Sequence, residues 1–238
     1  MFSQPDRRFR CRFAAGLTCL GWVLFAAATA PGGPPAAGQE KKAAQGKELF
    51  DGKTLAGWKA TQFGGEGKVL VKDGTIVLER GDSMTGITWS GKYPRTNYEL
   101  TLEGMRVDGH DFFCTTTFPV GKEFCSLVVG GWGGTVMGLS CVDHFDASEN
   151  PTTSFQQFED KRWYALRIRV SDAKIEAWLD GKQVVNQQRE GHKFGVRMEC
   201  DLSCPLGVCT WYTKGAVRNI RLRELAAAEL KPAETEEK

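Results

Sequence analysis

From about residue 46 to residue 225 the chain is a succession of short runs in which apolar and polar residues alternate, and a period of two fits a half-buried strand rather than a helix. In NYELTLEG, Tyr98, Leu100 and Leu102 point one way while Glu99, Thr101 and Glu103 point the other. In WYALRIRV, Leu166, Ile168 and Val170 oppose Arg167 and Arg169. KVLVKDGTIVLERG and KIEAWLDGKQVV each join two such runs through Asp-Gly, at Asp73-Gly74 and Asp180-Gly181, the pair that a type I′ hairpin turn favours. No long stretch keeps a period of 3.6. Many short strands between closely spaced turn signals predict an all-β sandwich of two antiparallel sheets. A segment of this length buries about 70% of its unfolded surface, so it can form one domain without an external staple.

The ends have a different character. Arg7, Arg8, Arg10 and Arg12 precede an apolar run from Phe13 to Ala30, and small residues follow. Basic, apolar and small segments in that order are the layout of a secretory signal peptide, assigned here to residues 1–38. Residues 39–45 read as a linker, and the charged tail 226–238 reads as disordered. An exported location, periplasmic or extracellular, follows, with no stable membrane span once the leader is cleaved. Removing residues 1–38 also removes four Arg and one Asp, so 31 basic and 29 acidic side chains fall to 27 and 28. The remainder has no basic field for nucleic acid.

Six cysteines lie in the domain, and an oxidising compartment permits disulfides. FCTTTFPVGKEFC reads as a hairpin turning near Pro119–Lys122, which predicts a Cys114–Cys125 bridge; buried free thiols are the alternative. In AVRNIRLREL, strict alternation places Arg218 on the same face as Ile220 and Leu222. Either a bulge turns it away or it anchors a charge beneath a site.

Three segments together carry a family resemblance: KELFDGKTLAGWKA at the start, WYALRIRV with its Asp-Gly hairpin, and AVRNIRLREL at the end. They resemble the 3-keto-disaccharide hydrolase family over nearly all of residues 46–225. The resemblance implies a concanavalin-like jelly-roll β-sandwich. It also implies cleavage of 3-keto-glycosides by lyase and hydratase chemistry, with a divalent metal ion assisting and an oxidised glycoside as the carbohydrate partner. A ketone at C3 acidifies the C2 proton; its removal gives an enolate that can expel the C1 oxygen, and water then adds. Such a reaction needs a base near C2, a donor at the enolate oxygen and an acid for the leaving group. The family pattern does not carry over everywhere: TWYTKGAV and DGHDFFCTTTF stand where that pattern has site elements.

Two polar stretches native to this chain are therefore the candidates. Asp108-Gly109-His110-Asp111 precedes the run FFCTTTF, and VDHFDASENPTT spans residues 142–153. If both turn toward one hollow, His110, Asp111 and Glu149 are the acid–base candidates. Asp143 and His144 are then the metal ligands, a donor set suited to zinc- or manganese-like ions. Asn150 either takes up the bend into Pro151 or contacts substrate, and the bland reading of both stretches is a polar turn. GGWGGTVMG lacks the Lys-Ser or Lys-Thr ending of a phosphate loop, and its glycines leave Trp132 free to be an exposed sugar-stacking face. Trp211 is the candidate second wall and Arg218 the candidate substrate anchor. A non-catalytic carbohydrate-binding module is the competing reading, and an envelope scaffold is a third.

Overall fold

The computed structural model describes residues 46–230; the leader, the linker and residues 231–238 lie outside the described residues. Fifteen strands follow one another: β1 (Lys47–Glu48), β2 (Trp58–Ala60), β3 (Val69–Lys72), β4 (Thr75–Leu78), β5 (Met84–Trp89), β6 (Tyr98–Asp108), β7 (Thr115–Val120), β8 (Glu123–Gly130), β9 (Val136–Ser140), β10 (Ser154–Phe155), β11 (Trp163–Val170), β12 (Lys174–Leu179), β13 (Lys182–Gln188), β14 (Gly207–Trp211) and β15 (Lys214–Glu224). The first sheet runs β13-β12-β11-β6-β15-β4-β3, with β1 also on β15. The second runs β10-β9-β8-β7-β14-β5-β2. Every neighbouring pair is antiparallel, as expected for a jelly-roll sandwich.

The alternation in the sequence is what fills the core. Leu100, Leu102, Leu166, Ile168, Ile76 and Val217 come from the inner face of the first sheet, and Ile87, Phe118, Leu127, Met137, Leu139 and Val208 from the second. Phe113, Phe158 and Tyr164 add an aromatic knot with edge-on contacts at 5.2 and 5.1 Å. Both Asp-Gly hairpins form as two-residue turns, Lys72 pairing with Thr75 and Leu179 with Lys182. Asp73, Gly74, Asp180 and Gly181 all have φ between +48° and +81°, the left-handed region that type I′ turns require and that Asp and Gly tolerate best.

Two expectations are corrected here, the Cys114–Cys125 bridge and the disorder of the tail from residue 226, and the open choice at Arg218 falls to the bulge. The β7–β8 hairpin exists, but it turns at Gly121-Lys122, between Val120 and Glu123, so Cys125 sits opposite Phe118 and not Cys114. Both cysteines are buried free thiols among the described residues. Arg218 does not enter the core: the β15 register shifts between Arg218 and Arg221, with Asn219 at φ +54°. That bulge lets Val217, Ile220 and Leu222 all face inward. It turns the Arg218 Nε out to Glu103 at 2.7 Å and lays the guanidinium 4.0 Å over Trp163. Arg218 is thus committed on the outer face of the first sheet. Residues 226–230, the described part of the tail, are held in place, because Arg223 donates to both Glu229 carboxylate oxygens at 2.8 and 2.9 Å.

Candidate functional site

The outer face of the second sheet carries a different set of residues. Period-two alternation sends Thr115 on β7, Ser126 and Val128 on β8, Ser140 on β9 and Trp211 on β14 away from the core, and all five line one cavity of about 190 Å³. Three of these five carry hydroxyls, set within a lining that is mostly apolar. Thr115 is fully buried, and among the described residues its Oγ1 has no hydrogen-bond partner. A buried hydroxyl in that state costs about 1–3 kcal/mol unless something pairs with it.

Three connections build the walls. The β6–β7 loop supplies Asp111 and Phe112, and Phe112 packs on Trp211 with ring centroids 6.2 Å apart. The β8–β9 turn supplies Trp132, which is 43% exposed. Its backbone lies at φ +50° between Gly130 at +78° and Gly133 at +83°. Gly134 is required here on two counts: its φ is +109°, and a Cβ would meet the His110 carbonyl oxygen at 2.7 Å. Asp111 ties the two connections together, accepting from the Phe112 amide at 2.7 Å and from the Gly133 amide at 2.9 Å.

The third wall is Arg197–Cys200, between β13 and β14. Arg197 grips Glu199 with two donors, Nε at 3.2 Å and Nη2 at 3.1 Å. Its Nη1 donates to Asp146 at 2.5 Å. Its guanidinium lies 5.5 Å from the Trp132 ring, within cation–π reach. The Arg197 hydrogen bonds hold the Glu199 carboxyl below its usual value, so it is ionised at neutral pH. Asp146 in turn accepts from Ser140 Oγ at 3.1 Å, linking the wall to the floor.

Of the residues singled out in the sequence, the cavity gathers Asp111, Trp132 and Trp211. It does not gather His110, Glu149, Asp143, His144, Asn150 or Arg218. His110 and Glu149 are exposed and lie outside the lining. Val142–Phe145 is a tight turn closed by reciprocal backbone hydrogen bonds of 3.0 and 2.9 Å, with Asp143 at φ +51° and His144 at +74°. Asp143 accepts from the Lys193 amide at 2.8 Å and pairs with His192 Nδ1 at 2.6 Å. These two contacts, the amide first, hold its carboxyl below the usual range. Asn150 is buried and wholly occupied. Its amide donates to the carbonyls of Leu139, Phe145 and Asp146, and its oxygen accepts from Thr152 N and Oγ1. It staples the loop and does not face substrate.

Among the described residues no group of three His, Cys, Asp or Glu side chains is gathered to hold a metal ion. Asp143 is committed to His192 Nδ1 and the Lys193 amide, and no three such donors gather around it and His144, so these residues do not fit the divalent metal that the resemblance implies. Sequence reasoning missed Arg197 and Glu199. They lie in GVRMECDLSC, a segment with no strand period and no turn signal.

An antiparallel jelly roll with one aromatic-walled, hydroxyl-bearing cavity on an outer sheet face defines the class: a concanavalin-like sandwich. Within it, the chain belongs to the 3-keto-alpha-glucoside-1,2-lyase-like domain family, whose pattern matches residues 45–223. A structure from Parabacteroides distasonis, provisionally named a glycosyl hydrolase, is 17% identical with a TM-score of 0.52, covering 76% of this chain and 94% of its own. The apo Crh5 transglycosylase is 12% identical with a TM-score of 0.51, covering 76% and 83%. At these identities the likeness is one of fold. No curated protein matches the chain. Among the described residues no helix is long and apolar enough to cross a membrane.

Proposed function

We propose that the cavity on the second sheet takes one ring of a glycoside oxidised at C3 and cleaves its glycosidic bond. The observation that carries this reading is the pairing of Glu199 with Arg197 in a cavity walled by Trp132, Phe112 and Trp211. Indole faces suit the C–H face of a sugar ring, and the floor hydroxyls of Thr115, Ser126 and Ser140 suit its hydroxyls. Glu199, held ionised, takes the C2 proton that the neighbouring ketone has acidified. Arg197 supplies positive charge at the enolate oxygen that develops. The C1 oxygen then leaves, and water adds to the unsaturated ring.

A second reading has its own support. Both Asp111 oxygens are occupied by backbone amides, which leaves the cavity without a second uncommitted carboxyl group as the acid. A sugar-binding domain without turnover needs none. The basic, apolar and small segments at the N-terminus favour action outside the cytoplasm in either case.

Incubating the purified chain with a 3-keto-glycoside and with its unoxidised parent, with and without chelator, separates the readings. Aglycone release from the oxidised compound alone supports the lyase. Binding of either compound without release supports the binding domain. Loss of release with chelator would bring a metal back into the reaction.

A further inference from the structure

Cys200 and Cys209 are not used by that chemistry, yet they are placed together. Cys209 is on β14, facing the outer side of the second sheet with 0% exposure, and pairs across the strand with Gly86. Cys200 is 5% exposed, within the short 3-10 turn Met198–Ser203 that forms the third wall. With Met84 the two make a small cluster of their own, separate from the main core and flanked by Phe63, Phe112, Val196 and Trp211. Cys209 Sγ also donates to the Thr115 carbonyl at 3.7 Å.

Sulfur contacts of Cys125, Cys141 and Cys114 run to other groups. Cys125 Sγ meets the Cys141 carbonyl at 3.9 Å. Cys141 Sγ faces Asp146 at 3.4 Å, and a Cβ on Gly104 would lie 2.4 Å from Cys114 Sγ.

We infer that Cys200 and Cys209 are a disulfide-forming pair that locks the Arg197–Glu199 wall onto β14. The chemistry is thiol–disulfide exchange with a small-molecule or protein disulfide such as oxidised glutathione. Cys200 lines the cavity and is the sulfur that an incoming disulfide can reach. Its thiolate attacks one glutathione sulfur, a mixed disulfide forms and the first glutathione thiolate leaves. The Cys209 thiolate then displaces the second. Two protein thiols are oxidised, one glutathione disulfide is reduced to two glutathione thiols, and the two protein thiol protons end on those glutathione sulfurs. The Cys209 contact and then burial push the Cys200 thiol well up, so exchange in the folded protein is slow and the bond forms most readily as the chain folds. The bridge closes a short loop, which constrains the unfolded chain and fixes the wall in the folded one.

The inference is independent of what the cavity holds, and so is its test. The full chain is refolded with oxidised and reduced glutathione, denatured, alkylated at free thiols and mapped by mass spectrometry of its peptides. The expected result is a Cys200–Cys209 cross-linked peptide, with Cys114, Cys125, Cys141 and Cys204 alkylated. Reductant should lower the melting temperature by on the order of 5–10 °C. That response should vanish in Cys200→Ser, which leaves the buried Cys209 in place. Alkylation of both Cys200 and Cys209 after oxidation, or either one joined to another cysteine or left as a glutathione adduct, overturns the inference.

Discussion

The outer faces of the two sheets come from the same alternation, yet they end in opposite states. On the first sheet the most deeply buried charge is paired several times over. Glu99 is 4% exposed and accepts from Arg169 at 2.8 Å, from Arg223 at 2.8 and 3.0 Å, and from Arg167 at 3.5 Å. Both outward tryptophans are covered, Trp178 by Arg167 at 3.8 Å and Trp163 by Arg218 at 4.0 Å. On the second sheet Trp132 and Trp211 line a hollow, Thr115 keeps an unpaired hydroxyl, and an ion pair stands at the edge. Charges and indoles that pair with their own neighbours serve stability, although Arg221 Nε on the first sheet has no partner among the described residues. A hollow walled by uncovered indoles beside an ion pair is suited to something that is not in the chain.

The contrast can be broken at several points. The largest effect is expected at Glu199. Glu199→Gln keeps the size and removes the base, so release of aglycone from a 3-keto-glycoside should fall about 10²–10⁴-fold, with KM little changed. The pH profile should agree. The Glu199 carboxyl lies below its usual value, so the ionised base is present throughout the neutral range. Activity should persist below the ordinary glutamate pKa of 4.5 and fall only as pH drops through the lowered value. A rate that already falls above that point would assign the base elsewhere.

On the opposite face the expected response is in stability alone. Glu99→Gln leaves three guanidiniums facing a neutral amide and should cost about 3 kcal/mol, the low end for a broken buried pair because Arg167 is partly exposed. Thermal unfolding should shift down by about 6–12 °C, while sugar affinity per folded molecule is unchanged.

Smaller effects sharpen the comparison. Trp132→Ala removes an exposed indole and should weaken sugar binding by about tenfold, worth about 1.4 kcal/mol, with a melting temperature close to wild type. Trp178→Ala should do the reverse, costing stability and sparing affinity. The smallest change is Thr115→Val, which replaces an unpaired buried hydroxyl with a methyl group. Stability should hold or rise by about 1 kcal/mol, while sugar affinity drops a few-fold. A fall in both would mean that the hydroxyl is satisfied within the protein.

How much of this was legible in the sequence depends on how local the cause is. The Asp-Gly hairpins were legible because left-handed backbone is a property of two adjacent residues. The core faces of β6 and β11 were legible because alternation is read along one strand. The bulge at Arg218–Arg221 was legible only as one of two readings, since the parity clash of Arg218 with Ile220 and Leu222 marks a conflict that burial of Val217, Ile220 and Leu222 together resolves. Trp132 stood out because four glycines surround it, and its exposed, left-handed turn is what they permit. VDHFDASENPTT resembled a ligand loop because Asp, His and Asn are also turn residues. Its chemistry is spent on the turn at Asp143–His144 and on the Asn150 staple. Glu199 and Arg197 enter the cavity only through tertiary placement of an irregular segment.

Aglycone release from a 3-keto-glycoside, measured side by side for wild type, Glu199→Gln and Arg218→Ala at equal folded fraction, tests the claim that the second sheet bears the reaction. The expected result is release by wild type and by Arg218→Ala at similar rates, with Glu199→Gln reduced at least about a hundredfold. Release that survives in Glu199→Gln but is lost in Arg218→Ala would contradict it and move the site to the other face.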